Sequence, residues 1–168
     1  MWRSYYERRP LALFSQLTGM LRSQYHLPFW RSVATGYHAT RAAFVFKDGK
    51  SRAGYEKALP DLNRYFTAIA PPGVSVAEAA RLELEWWIIH RQRAQYGEDA
   101  LAEALAKLQE HLYQVPAARF ADHAKLRADA MLRRDRAAEG TGMNEEEWRR
   151  IRELLEASWT SLWREVRH

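Results

Sequence analysis

The residues of this chain that are best suited to chemistry lie in one stretch, LELEWWIIHRQR at positions 82–93. At about 100° per residue in a helix, Glu83, Trp87 and His90 fall within roughly 60° of one another. A carboxylate and an imidazole on one helix face are ligands that iron, manganese and zinc accept. The seven-residue separation spans about 10.5 Å along a helix axis, which is too far for one metal ion but compatible with two ions about 4 Å apart.

This Glu-x6-His pair is similar to one helix of the haem-oxygenase-like di-iron enzymes. The resemblance implies a small non-haem metal (di-iron-like) oxidoreductase, with iron or another divalent metal held in the helix bundle by Glu83, His90 and His123. Those enzymes also carry a His-x-x-x-Asp-x-x-His set on a later helix. Here Arg127 follows His123 at i+4, and its charge would repel a cation. The next candidates for ligands are Asp129 and Asp135.

The same stretch is more typical of a structural helix. Trp86 and Trp87 would wedge between neighbouring helices, and His90 would lie near a helix C-terminus, where a positive imidazolium is favourable. The chain contains no His-x-x-x-His, no His-Glu-x-x-His and no Gly-x-Ser-x-Gly motif. The common zinc-protease and serine-hydrolase signatures are therefore excluded.

The positive charge of the chain is concentrated in its first third. Residues 1–54 hold nine Lys/Arg against only two carboxylates, Glu7 and Asp48, and ten of the 21 aromatic residues. Arginines neutralise phosphates and aromatic rings stack on exposed bases, so this composition suits an RNA or single-stranded DNA surface. An acidic protein or the headgroup layer of a membrane would suit the same composition.

We therefore predict a non-enzymatic helical binding or adaptor protein that docks an anionic partner, nucleic acid or acidic protein, on this basic and aromatic surface. No cofactor is expected for such a function. The predicted contacts are five arginines: Arg3, Arg8, Arg9, Arg22 and Arg31. Four aromatic residues lie on stripes that the helical period directs inward: Phe14, Phe29, Tyr37 and Phe44. Three others are hard to bury by pattern: Trp2, Tyr5 and Tyr6.

Length and composition limit the class of protein further. At 168 residues the chain fits one domain and is long enough to bury a core. The absence of cysteine excludes disulfides, thiolate nucleophiles and Cys-type zinc sites. The longest apolar runs, such as AAFVF at 42–46, fall short of the about 20 residues of a membrane-spanning helix. With no secretory signal visible behind the charged N-terminus, a cytoplasmic location is expected.

The elements that must position these residues are helices. Apolar residues recur at the helical period in almost every segment, and no segment alternates with period two, so the sequence predicts an all-α protein. We expect a single domain over residues 1–168, formed by a bundle of six to seven helices with short connections. A loop is expected at 71–75 and a linker at 139–144.

Local signals place several helix boundaries. Pro60 is expected to kink or split the third helix, because proline lacks the N–H and clashes with the preceding turn. Two helix starts carry a capping pattern with glutamate three residues later: Ser75 with Glu78, and Asn144 with Glu147. The helix that contains LELEWWIIHRQR is expected to end at Gly97.

Overall fold

The chain is built from α-helices, and the all-α prediction is confirmed. The computed structural model describes residues 2–97, 99–140 and 142–166, and no β-strand occurs within these ranges. Seven helices there have eleven or more residues and two have five. In chain order they are α1 (Trp2–Tyr6), α2 (Pro10–Gln24), α3 (Phe29–Asp48), α4 (Arg52–Glu56), α5 (Leu59–Ile69), α6 (Val76–Arg91), α7 (Ala100–Tyr113), α8 (Ala121–Glu139) and α9 (Glu145–Val166). None of the described helices combines the length and apolar character that crossing a bilayer requires.

Prolines and caps begin the helices where the sequence predicts. Pro60 lies in the first turn of α5, so the predicted third helix is split into α4 and α5. The Ser75 side chain accepts a hydrogen bond from Glu78 N, 3.3 Å away, at the start of α6. The Asn144 side chain accepts one from Glu147 N, 2.8 Å away, at the start of α9.

The connections lie close to their predicted positions. Residues 70–75 join α5 to α6, and residues 140–144 separate α8 from α9. Thr141 of the predicted 139–144 linker lies outside the described residues.

Helix α6 ends earlier than predicted. The sequence places its end at Gly97, but the α-helical backbone stops at Arg91 and a 3₁₀ turn follows over Arg93–Gln95. There Gln95 N donates to Gln92 O across 2.8 Å. The last turn thus tightens to i→i+3 hydrogen bonds, a common way for a helix C-terminus to satisfy its carbonyl groups.

The chain divides into two compact units, residues 1–84 and 85–168, with the boundary inside α6. We call them the N-terminal and the C-terminal unit. In the N-terminal unit α3 packs against α2, α4 and α5. The largest buried apolar side chains there are Leu13, Leu21, Phe46, Tyr55, Leu62, Phe66 and Leu84.

In the C-terminal unit, α8 is the central helix and packs against α7 and α9. The core side chains that are most completely buried there are Ile88, Leu105, Phe120, Met131, Ile151 and Leu162. Each unit therefore buries enough apolar side chains to form its own core. Whether the whole chain is one domain, as the sequence predicts, stays a prediction.

Candidate functional site

The outer side of α3 carries the most exposed aromatic side chains of the described part of the N-terminal unit. Its inner side is lined by small residues, and Ser32, Thr35 and Gly36 are buried. Four exposed residues at spacings of 4, 3 and 4 form the outer side: Trp30, Ala34, Tyr37 and Arg41. Because a helix turns every 3.6 residues, they form one stripe about 16 Å long. We call these four residues the α3 face.

Helix α2 supplies a cation beside this face. Phe29, half-exposed at the start of α3, packs edge-on against Trp30 with ring centroids 4.9 Å apart. The guanidinium carbon of Arg22 lies 5.4 Å from the Phe29 ring centroid, within the range of a cation–π contact. The two helices approach closely at Gly36, where an added Cβ would lie 2.6 Å from Thr18 Oγ1. Glycine at this point lets α2 bring Arg22 close to the aromatic residues.

Helix α5 contributes a buried carboxylate on the other flank of the α3 face. His38 Nδ1 lies 2.7 Å from Asp61 Oδ1, and Arg41 Nη1 lies 3.2 Å from Asp61 Oδ2. The Asp61 side chain is 2% exposed, whereas that of Arg41 is 51% exposed. The cation balances the buried carboxylate, so Asp61 does not make the α3 face negative. We call His38, Arg41 and Asp61 the Asp61 clamp.

The five predicted contact arginines fall into two groups. Three lie 2.8 to 3.6 Å from carboxylates: Arg3 and Arg9 from Glu7, and Arg8 from Asp48. Arg22 and Arg31 are exposed and form no ion pair within the described residues. The 40 residues between Glu7 and Asp48 contain no Asp or Glu. Arg22 and Arg31 therefore carry charge that no carboxylate balances, on the helices that form and flank the α3 face.

Two aromatic residues lie on the side opposite to the predicted one. Phe29 and Tyr37, expected to face inward, are 48% and 53% exposed. Small residues such as Ser32 and Thr35 form the buried side of α3. They allow close helix packing, but they give the sequence no apolar pattern that marks this side as buried. The inward prediction for Phe29 and Tyr37 was therefore wrong, while Phe14 and Phe44 are half-buried.

The aromatic residues near the N-terminus are packed more closely than their pattern suggests. The Tyr5 ring lies 5.1 Å from that of Tyr6 and 6.1 Å from that of Phe44. Lys47 Nζ lies 4.7 Å from the Tyr5 ring centroid and donates to Tyr5 O across 2.7 Å. The side chain of Trp2 lies outside the described residues. Tyr5 and Tyr6 thus tie α1 to α3, and the exposed aromatic surface lies further along α3.

Three of the metal-ligand candidates, His90, His123 and Asp135, have protein partners. His90 Nε2 lies 3.0 Å from Asp135 Oδ2, and His123 Nδ1 lies 2.9 Å from the backbone oxygen of Ser158. Glu83 is half-buried on α6. Asp129 lines a groove of about 470 Å³ between α8 and α9. In the part of the chain that the structure describes, no three His, Asp or Glu side chains form a group that could hold a metal ion.

Asp135 is the centre of a second clamp, formed with His90 and Arg93. Arg93 Nη1 lies 3.0 Å from Asp135 Oδ2, and Arg134 Nη1 lies 3.1 Å from Oδ1. Arg93 also pairs with Glu139. Burial acts to raise the pKa of the Asp135 carboxyl, but the hydrogen bond from His90 and the arginine charges outweigh it and hold the pKa below its ordinary value. We call His90, Arg93 and Asp135 the Asp135 clamp.

His123 is a buried, neutral histidine between α8 and α9. Because the backbone oxygen of Ser158 can only accept, His123 Nδ1 carries the proton and Nε2 keeps a lone pair. Burial lowers the pKa of His123 to about 4, opposed by the Ser158 hydrogen bond and aided by the charge of Arg127. The Arg127 guanidinium carbon lies 5.4 Å from the Trp86 ring centroid and 5.7 Å from that of Trp159. This cluster packs the C-terminal unit together.

No family model, curated protein or solved structure matches the chain.

Proposed function

We propose that the N-terminal unit binds single-stranded nucleic acid on the α3 face, and that the protein is a non-enzymatic binding or adaptor protein. The observation that supports this most directly is a pair of exposed aromatic side chains, Trp30 and Tyr37, in a 40-residue segment without carboxylates. Trp30 is 77% exposed, so most of its ring surface is available to a ligand.

Single strands suit this face better than a duplex or an acidic protein does. Every unpaired base offers a flat ring that can stack on indole or phenol, at about 1–3 kcal/mol per base, whereas a duplex keeps its bases stacked on one another. An acidic protein would use the arginines, but it does not offer the regular succession of flat rings and negative charges that a single strand does. The combination of exposed rings and unbalanced cations therefore favours a ligand with both bases and phosphates.

The cations are arranged to bind the backbone of such a strand. Arg22 lies beside Phe29, and Arg31 lies on α3 itself. Arg41, also on α3, pairs with Asp61 through Nη1 and has half of its side chain in solvent. Phosphate contacts of this kind do not depend on base sequence, and stacking is sequence-tolerant. We therefore expect binding with little sequence preference and a strong dependence on salt.

The aromatic part of the proposal is tested by comparing two exposed tryptophans. Trp30→Ala should weaken the binding of a fluorescein-labelled 20-nucleotide single strand by about 5- to 150-fold, measured by anisotropy, because one stacked base is lost. Trp163→Ala is the matched control, since Trp163 is 45% exposed on α9 of the C-terminal unit. If the two variants lost the same amount of affinity, the α3 face would not be the binding surface.

The electrostatic part is tested by the salt dependence. The double variant Arg22→Ala/Arg31→Ala should reduce the slope of log affinity against log salt by about 1.4, since each phosphate contact on a single strand contributes about 0.7. The control Arg149→Ala/Arg150→Ala removes the same charge from α9, where both arginines pair with Glu146. An unchanged slope in the first variant would contradict the assignment of these arginines.

The identity of the partner is tested by competition. Single-stranded oligonucleotides should displace the probe, and a duplex of the same sequence should do so at least tenfold less well. Absence of saturable binding to any oligonucleotide at low salt would overturn the proposal. Binding of polyglutamate that depends on Arg22 and Arg31, without oligonucleotide binding, would assign the surface to an acidic protein.

A further inference from the structure

The Asp61 clamp fixes which nitrogen of His38 can accept a hydrogen bond. Asp61 Oδ1 is a carboxylate oxygen that can only accept, and it lies 2.7 Å from His38 Nδ1. The proton of the neutral imidazole is therefore on Nδ1, and the lone pair is on Nε2. Arg41 Nη1 lies 3.3 Å from the same oxygen, so the carboxylate orients both side chains.

The lone pair of His38 is beside the α3 face. The His38 side chain is 19% exposed, and within the described residues its Nε2 has no hydrogen-bond partner. Its ring lies edge-on to that of Tyr37, with centroids 5.3 Å apart. Arg41 follows one helical turn later, with half of its side chain in solvent. An exposed ring, a hydrogen-bond acceptor and a cation are thus neighbours on one turn of α3.

We infer that the α3 face prefers RNA to DNA, because His38 Nε2 accepts a hydrogen bond from a ribose 2′-hydroxyl. This inference rests on the proposed function and specifies its substrate. In this arrangement a base stacks on Tyr37, a neighbouring phosphate binds Arg41, and the sugar between them meets His38. Asp61 is a positioning residue, which acts by holding the imidazole and the guanidinium.

A neutral imidazole is well suited to this task. The 2′-hydroxyl is the group that distinguishes RNA from DNA, and it can donate to an acceptor. A carboxylate in the same place would accept the hydrogen bond but repel the phosphates on either side. The lone pair of His38 accepts without negative charge, while the charge of Asp61 stays buried behind it.

The wild-type protein gives the first test, with four strands of one sequence measured by anisotropy. The strands carry 2′-hydroxyl, 2′-fluoro, 2′-O-methyl or 2′-deoxy sugars. The 2′-fluoro sugar keeps an RNA-like pucker but cannot donate, so it separates the hydrogen bond from sugar shape. RNA should bind about 3- to 10-fold more tightly than each of the others, as expected for one net hydrogen bond.

Equal affinity for RNA and 2′-fluoro RNA would overturn this inference and leave the proposed function standing. If none of the four strands bound, the proposed function would fail first.

Variants assign the preference to His38. His38→Phe keeps an aromatic ring but no acceptor, and it should bind RNA and 2′-fluoro RNA equally. His90→Phe is the matched control from the Asp135 clamp, and it should keep the preference for RNA. A preference that persists in His38→Phe would overturn the assignment. If circular dichroism shows that His38→Phe is unfolded, the four wild-type affinities decide the inference alone.

Discussion

Two buried aspartates, one in each unit, are held by the same sequence pattern. In the N-terminal unit His38 and Arg41 contact Asp61. In the C-terminal unit His90 and Arg93 contact Asp135. Both pairs follow His-x-x-Arg, so in each the histidine and the arginine lie about one helical turn apart and reach one carboxylate on another helix.

The two clamps differ in their surroundings. The Asp135 clamp is joined by a second arginine, Arg134, and by a second carboxylate, Glu139, so its charges belong to a larger cluster of two arginines and two carboxylates. The Asp61 clamp has one arginine that is half in solvent, and the exposed ring of Tyr37 lies beside it.

The two units also differ in charge, since the N-terminal unit has an excess of Lys/Arg and the C-terminal unit does not. Residues 1–84 carry 12 Lys/Arg against 6 Asp/Glu, and residues 85–168 carry 14 against 15. Both clamps hold a buried aspartate in place, and the residues around each clamp determine whether it can also contact a ligand.

The largest effect is expected from removing the carboxylate of the Asp61 clamp. Asp61→Ala leaves His38 and Arg41 without their partner and should lower the free energy of unfolding by about 3 kcal/mol, measured by urea denaturation. The exposed pair of Arg52 and Glu56 is the control, and Glu56→Ala should cost less than about 0.5 kcal/mol. A loss below about 1 kcal/mol for Asp61→Ala would show that the Asp61 clamp does not stabilise the N-terminal unit.

The C-terminal unit should respond to acid through His123. The pKa of His123 is lowered from 6.5 to about 4 in the folded chain, so the unfolded chain binds the proton more readily. The stabilising contribution of His123 to the free energy of unfolding is fully present above about pH 6.5, and it is lost as the pH falls towards about 4. Between about pH 7.5 and about pH 5 the free energy of unfolding should fall by about 2 kcal/mol on this account.

A variant separates His123 from other titrating groups. His123→Gln should lose less stability than the wild type over the same pH range, measured by urea denaturation at both pH values. Asp135 does not contribute there, because its pKa is lowered from 3.8 and its effect is lost only at lower pH. Asp135→Asn should therefore keep the loss between about pH 7.5 and about pH 5. An identical loss in His123→Gln would show that His123 is not the cause.

The helices were predictable because their signals are local. Pro60 split one helix in two, and Ser75 and Asn144 capped two others, since each acts through its own backbone neighbours. The end of α6 was missed, because Gln92 leaves the helix before the first glycine is reached.

The candidate site was only partly predictable. Composition located the basic, aromatic third, but the inner side of α3 is made of small residues, so its apolar pattern did not show which aromatic rings would be exposed. The partners of His38 and Arg41 were not visible either, because Asp61 is 20 residues beyond Arg41 along the chain. The repeated His-x-x-Arg spacing at 38–41 and 90–93 is the sequence signal that could have identified both clamps.

A smaller effect is expected where α2 meets α3. Gly36→Ala would place a Cβ 2.6 Å from Thr18 Oγ1, so either the Thr18 side chain or the two helices must shift, at a cost of about 1–2 kcal/mol. Gly19→Ala on α2 is the control, because nothing lies within 4 Å of its added Cβ, and it should stabilise the helix by about 0.5–1 kcal/mol. Both values come from thermal or urea denaturation. If Gly36→Ala were as stable as Gly19→Ala, the close approach of α2 and α3 would not depend on glycine at position 36. The position of Arg22 beside Phe29 would then need another explanation.

The smallest effect is expected from the arginines that already have carboxylate partners. The triple variant Arg3→Ala/Arg8→Ala/Arg9→Ala removes three charges, but Glu7 and Asp48 on the surface balance two of them in the wild type, so this part of the chain has only one net positive charge to offer a phosphate. Its affinity for a single strand at about 150 mM salt should fall less than about twofold, whereas Arg22→Ala/Arg31→Ala should fall several-fold with one charge fewer removed. Anisotropy titrations of the two variants with the same strand measure this directly. If the triple variant lost more affinity than Arg22→Ala/Arg31→Ala, the binding surface would have to be assigned to the N-terminus instead of α3. The number of arginines would then matter more than whether carboxylates balance them.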